Sequence, residues 1–217
     1  TQADAVTSVS RFTANLAASD LGYPRSIRVI PNGVDHNRFT PGSPRRTNHC
    51  IVLFSGNLTQ RKGAQWLPAI AKRLMSNVQI HYTQGLRTRR TLPDHPRLQT
   101  IGQVAYPDMP KLYRSVDLLL MPTVREGMSL AVLEAMASGL PVIASDVSSM
   151  PELIDEGRGG YLCPLGDVQT FADRINQLAA DPDLRYRMGE YNRAKIESAY
   201  TLEQMVASYQ RLFEELN

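Results

Sequence analysis

At 217 residues with 42% hydrophobic content, the chain has the material for a buried core in one or two domains, and neither a disordered nor a fibrous class fits it. Lys and Arg number 24 against 21 Asp and Glu, and the resulting charge of +3 is too small to argue for nucleic acid as a partner. No apolar run approaches the roughly 18 residues needed to span a bilayer.

The first residues, TQADAV, carry neither a charged n-region nor an apolar h-region and lack an initiator Met, so the sequence reads as a piece of a longer chain. Hydrophobic spacing predicts a strand over residues 3–10, a helix over 11–21, a Gly22-Tyr23-Pro24 turn and a strand over 27–30, the remnant of a βαβ unit. Asn32-Gly33, inside PNGVDHNRF, signals a turn, and TPGSPRRTN at 40–48 has the Pro, Gly and Ser content of a linker. Cys50 and Cys163 stand alone at strand edges without CxxC spacing, as small buried hydrophobes of a reducing, cytoplasmic compartment do. His36, His49, His81 and His95 form no ligand pattern, and no metal site is expected.

From residue 50 onward, strands and helices alternate. Strands are predicted over 50–55, 78–83, 98–102, 117–121, 141–144 and 160–163. Helices are predicted over 63–75, 107–115, 148–156, 168–180, 184–199 and 201–216, in addition to one that begins at about residue 128. Such alternation with short apolar strands means an α/β fold: a Rossmann-like parallel sheet covered by helices on both faces, with ligands at the carboxyl ends of its strands. After the first of these strands, GNLTQRKG brackets a turn between Gly56 and Gly63, where Asn57 and the cations Arg61 and Lys62 could meet phosphate oxygens, although a basic pair in such a turn is usually a solvated loop.

The chemistry concentrates in PTVREGMSLAVLEAMASGLP, residues 122–141. Pro122 ends a buried strand, and Gly127 lets backbone approach a ligand closely. Met128, Ser129 and Leu130 are expected in the first helical turn, where N–H groups without intrahelical partners suit a diphosphate. The helix runs to about Ser138, with Leu130, Leu133, Met136 and Ala137 as one apolar stripe, and Gly139 and Pro141 stop it. Glu134 lies among these apolar residues, and a carboxylate there needs hydrogen-bond donors. A ribose diol would supply two. Glu134 sits roughly 9 Å along the axis from Gly127 or Met128 at about 1.5 Å per residue, a plausible pyrophosphate-to-ribose offset. A backbone-tied structural glutamate is the alternative.

Glu126 and Glu134, separated by seven residues and followed by EAMASGLPVIAS, resemble the paired-glutamate motif of the retaining glycosyltransferases of family 4, which have the GT-B fold. That resemblance implies that Glu126 faces the sugar of a nucleotide-sugar donor, UDP- or GDP-linked, that Glu134 binds the ribose, and that no metal is required. It matches Lys62 to the phosphate-binding lysine, puts Asn57 where the family has arginine, with Arg61 as a substitute, and assigns the nucleobase edge to the backbone at Gln103 and Val104. Met128-Ser129 replaces the usual Phe-Gly.

It divides the chain into residues 1–39, the end of an acceptor domain and the interdomain linker; 40–199, the donor domain; and 200–217, a helix crossing back to an N-terminal domain that this chain lacks. Part of that helix's apolar face, at Met205, Tyr209, Leu212 and Phe213, would then be uncovered. The implied partners are the nucleotide sugar, the missing domain and a glycan, lipid or small-molecule acceptor. Arg87, Arg89 and Arg90 are either a solvated loop or a peripheral contact with anionic lipid or polysaccharide. Two other functions share these features: an epimerase of the same fold, and a nucleotide-sugar-binding module without transfer, which Asn57 suggests.

Overall fold

The computed structural model describes residues 3–20, 22, 26–43, 49–85 and 91–216. Tyr23 and Pro24 of the predicted turn, residues 44–48 of the linker, and Arg87, Arg89 and Arg90 lie outside the described residues. The main sheet comprises β3 (Cys50–Phe54), β4 (Val78–Thr83), β5 (Leu98–Gly102), β6 (Leu118–Met121), β7 (Val142–Ser145) and β8 (Gly160–Cys163). Its order is β5-β4-β3-β6-β7-β8 and every pairing is parallel. The chain winds outward from β3 through β4 to β5, then returns to the other flank of β3 and continues through β6, β7 and β8. A crevice therefore opens at the carboxyl ends of β3 and β6, where successive connections diverge.

Both faces of the sheet are buried, as continuous apolar strands such as CIVLF and LLLM require. Val52, Phe54, Leu118 and Leu120 point to the face covered by α2 (Leu67–Ala71) and α6 (Val168–Ala180). Leu53, Leu119 and Met121 point to the opposite face, against α4 (Leu130–Ala137) and α5 (Met150–Leu153), with Tyr113 of α3 (Met109–Arg114) and Phe39. Each fully buried Leu or Phe removes enough apolar surface from water to contribute about 1.5–3 kcal/mol.

A separate pair of short parallel strands, β1 (Thr7–Ser8) and β2 (Arg28–Val29), flanks α1 (Arg11–Ser19). Ser10 caps α1, and Glu152 of α5 accepts the Arg11 and Phe12 amides at 2.9 and 2.8 Å, tying this unit to the main sheet. The predicted eight-residue strand is thus two residues long, since only Thr7 and Ser8 find ladder partners.

Other boundaries are also corrected. The helix expected over 63–75 is a 3-10 turn, Ala64–Trp66, leading into the short α2, because Gly63 enters in the left-handed region and Pro68 fixes the next start. Tyr106–Asp108 is likewise a 3-10 turn before α3. The helix expected over 148–156 shrinks to Met150–Leu153. α7 (Pro182–Ala199) begins two residues earlier than predicted, with Pro182 in its first turn and Asp181 accepting the Leu184 amide at 2.8 Å. α8 (Leu202–Leu216) returns toward the first unit: Val34 bridges Thr201, and Arg28 pairs with Glu215. Of the apolar residues expected on the uncovered face of α8, Phe213 is 62% exposed and Leu212 is buried. No described helix is long and apolar enough to cross a membrane.

Candidate functional site

Two loops meet in the crevice between β3 and β6. The first leaves β3 at Ser55 and turns through Gly56, whose amide donates to the Thr83 hydroxyl at 2.8 Å while that hydroxyl donates back to the Gly56 carbonyl at 3.1 Å. Asn57 packs against the backbone at Gly85, where an added Cβ would lie 2.1 Å from Asn57 Oδ1. The loop ends at Gly63, where φ is +80° and a Cβ would stand 1.8 Å from the Pro122 carbonyl oxygen. Only glycine satisfies both conditions. The second loop, beginning at that proline, is stitched to the first: the Thr123 hydroxyl and the Val124 amide donate to the Arg61 carbonyl at 2.9 and 2.8 Å.

The stitching brings together the three residues that sequence reasoning placed at the reacting end. Lys62 Nζ lies 2.7 Å from Glu126 Oε1, and the Thr123 hydroxyl, whose one proton can turn to this oxygen instead of the Arg61 carbonyl, lies 3.0 Å from it. Glu126 is buried and Lys62 nearly so, which makes this a charge-assisted pair with little solvent around it. Arg61 stands at the rim, with 63% of its side chain exposed and Nη1 4.0 Å from Glu126 Oε2. Glu126, expected to face a sugar, and Lys62, expected to face phosphate, thus hold each other.

The start of α4 differs from the sequence expectation. Its first residue is Leu130, so Met128 and Ser129 precede the first turn, and the amides without intrahelical partners are those of Leu130, Ala131 and Val132, ahead of the Leu133 amide that donates to the Ser129 carbonyl. Leu130 is 52% exposed rather than part of an apolar stripe; residues Val132 to Ala137 are buried all round. Ser129 is the N-cap residue, yet its hydroxyl makes no capping bond, and among the described residues this buried oxygen has no partner. The missing side chain of Gly127 faces Val9 and Thr13, 3.6 and 3.8 Å from where a Cβ would be, so that position adjoins the amino-terminal unit rather than open space. Asn32 Nδ2 donates to the Met128 carbonyl at 3.3 Å.

Glu134 lies about 6 Å along the axis from Leu130. It is 8% exposed, and the Tyr113 hydroxyl donates to its Oε2 at 3.0 Å. Burial pushes the Glu134 carboxyl up to about 7, against the opposing effects of the Tyr113 hydrogen bond and the Arg38 charge. The sequence indicated that a mid-helix carboxylate needs a donor, but not that Tyr113, 21 residues away, supplies it. At the far end of the crevice, Gln103 and Val104 follow edge strand β5 past Gly102, which adopts φ +70°. Beside them the Arg38 guanidinium lies 4.5 Å from the centre of the Tyr106 ring and donates to the Tyr106 carbonyl at 3.0 Å.

Among the described residues, no three His, Cys, Asp or Glu side chains gather in a metal-holding group. A cavity of about 430 Å³, lined in part by Val116, Leu140, Pro141 and Arg185, lies at the opposite, amino ends of β6 and β7. It shares none of the residues above except Tyr113.

Comparison with known proteins converges on one family. Residues 49–181 match the model described as glycosyl transferases group 1, and residues 1–38 match glycosyltransferase family 4. The D-inositol 3-phosphate glycosyltransferase of Corynebacterium jeikeium is 29% identical over 219 residues, which cover 88% of this chain and 52% of that protein. Sucrose-phosphate synthase from Thermosynechococcus elongatus superposes with a TM-score of 0.89 at 24% identity, over 99% of this chain and 59% of that one. The Anabaena protein HepE in complex with UDP-glucose gives 0.84 at 19% identity, over 98% and 64%. The chain spans about half the length of the curated relative it matches.

Proposed function

We propose, since the chain belongs to the glycosyl transferases group 1 family, that it is the donor half of a retaining, metal-independent glycosyltransferase. It binds a UDP- or GDP-sugar and, joined to an N-terminal domain, transfers the sugar to a glycan, lipid or small-molecule acceptor. The observation that carries this reading is the junction at the switch point. There a lysine–glutamate pair with little solvent around it adjoins a helix whose first amides lack intrahelical partners and whose Ser129 hydroxyl has no partner among the described residues.

Departure of a nucleoside diphosphate from an anomeric carbon requires stabilisation of negative charge on the leaving group. The amides of Leu130, Ala131 and Val132 and the Ser129 hydroxyl would donate to the diphosphate oxygens. These oxygens would draw Lys62 away from Glu126, with Arg61 closing from the rim. Glu126, released, would take up sugar hydroxyls. Glu134 would accept from the ribose, and the backbone at Gln103 and Val104 would meet the base edge. Cys50 and Cys163 are buried and form no disulfide among the described residues, in keeping with a cytoplasmic protein, and burial pushes the Cys163 thiol up to about 12.

Calorimetric titration with UDP, GDP and their sugars, in EDTA and then in Mg²⁺, tests the reading. We expect saturable binding of at least one nucleotide at equal affinity in both. Binding that appears only with the metal would overturn metal independence, and none in either would overturn the donor assignment. Binding without transfer is a second reading, favoured by Asn57 packing on Gly85 where the family pattern has a cation. Product analysis on the chain joined to its N-terminal domain separates the two.

A further inference from the structure

We infer that Tyr113 is a positioning residue for nucleotide recognition: from beneath the site it holds one carboxylate oxygen of Glu134, leaving the other to accept from the ribose diol. This rests on the donor-binding reading above and deepens it. A tyrosine hydroxyl has one proton to donate, and two acceptors are within reach, Glu134 Oε2 at 3.0 Å and the Ala131 carbonyl at 3.3 Å. The carboxylate is both nearer and the stronger acceptor when charged. Among the described residues the other oxygen, Oε1, receives no hydrogen bond.

The donor is rigid as well as close. Tyr113 is fully buried, and its ring meets the equally buried Phe39 edge to face, with centroids 5.9 Å apart. It cannot follow the carboxylate if α4 shifts, so it fixes where Glu134 points. Burial and the neighbouring Glu134 raise the phenol well above its ordinary range, so it remains a proton donor throughout physiological pH. The other groups that bear on Glu134 come from different elements. Arg38 from the segment after β2 favours the charged carboxylate, while Tyr106 from the 3-10 turn lies close to both. Ser55 at the end of β3 bonds to Tyr113. On the far flank of α4, α7 brings Arg193 to the Ala137 carbonyl rather than to Glu134. Tyr113 is therefore the group that directly orients this carboxylate, and without it the charged form loses its one protein donor.

Tyr113→Phe keeps the ring and removes the proton. We expect a folded variant whose affinity for the nucleotide that the wild type binds is about tenfold lower at pH 7, with the loss shrinking toward pH 9 as Glu134 ionises. In a Glu134→Ala background, which leaves the phenol no side-chain oxygen to bond at that position, the same change should have no further effect on affinity. A loss that is equal at every pH, or that persists beside Glu134→Ala, would mean that Tyr113 serves only packing, and no loss at all would likewise overturn the proposal. Carbon-13 NMR of the wild type gives a test that needs neither a variant nor a ligand: the Tyr113 Cζ shift should titrate with the Glu134 carboxyl midpoint. Independent midpoints would sink the proposal. If the two titrate together but no nucleotide binds, the hydrogen bond stands while its assignment to ribose, and the donor reading with it, falls.

Discussion

Glu126 and Glu134 are two buried carboxylates on either side of one helix start, and they are held in opposite ways. Glu126 has a cation, Lys62, at 2.7 Å; Glu134 has a neutral phenol at 3.0 Å and a carboxyl pushed up to about 7. One corner is balanced by charge, so a ligand must exchange partners to enter it. The other is short of charge compensation and gains from any ligand that brings donors. The contrast suits a molecule that is anionic at one end and a neutral diol at the other.

The largest expected effect comes from breaking the charged corner. Lys62→Met leaves Glu126 buried with only the Thr123 hydroxyl and the rim guanidinium of Arg61, 4.0 Å away, and should cost about 3 kcal/mol of stability, besides abolishing diphosphate binding. Urea denaturation at unchanged m-value would measure the first and calorimetry the second. Glu126→Ala should do something different: with Lys62 released, affinity for the bare diphosphate should hold or rise, while that for the sugar nucleotide falls. Equal losses for both ligands would reject the exchange of partners.

The neutral corner should respond to pH. Glu134 titrates near 7 in the folded chain against an ordinary value of 4.5, so the folded state holds an extra proton between those values. Its contribution to stability is present below about pH 4.5 and is lost as pH rises through about 7, by on the order of 2–3 kcal/mol. Nucleotide affinity should move the other way, strengthening from pH 6 to 8 as the carboxylate forms. Glu134→Gln should flatten both profiles, raising the melting temperature at pH 8 while weakening nucleotide and sugar nucleotide alike. A variant less stable than the wild type at pH 8 would show that Glu134 is a structural acceptor. Ser129→Ala should give the smallest effect and the same trade: a ligand-free chain at least as stable as the wild type, with nucleotide affinity reduced by about 1 kcal/mol. An unchanged affinity would take the hydroxyl out of the site.

These contrasts were unevenly legible in the sequence. The parallel sheet was readable because CIVLF and LLLM are apolar on both faces and lie between helix-forming segments. Lys62 and Glu126 were readable as site residues but not as partners, since their contact depends on β3 and β6 being neighbours. The start of α4 was placed two residues early because Met128 and Ser129 suit a first turn, whereas Asn32 engages the Met128 carbonyl. Tyr113 falls inside the helix predicted over 107–115 with nothing in the sequence to single it out; only packing against Phe39 and α4 reveals its hydroxyl as a donor.

The close approach of Gly63 to Pro122 also bears on how the chain acquires its site during synthesis. The segments that meet there are joined by a hydrogen bond across 62 positions in sequence, from the Thr123 hydroxyl to the Arg61 carbonyl. Lys62 therefore leaves the ribosome well before Glu126 and waits, with β3 flanked on one side only, until β6 arrives. Pairing over such a separation must first overcome the entropy of closing the intervening loop, which makes it a late and slow event. Any nascent chain that ends before β6 would have Lys62 in place and no Glu126 to hold it. Under the proposed donor-binding role, appearance of nucleotide binding would be a kinetic marker for the moment the two halves of the sheet join.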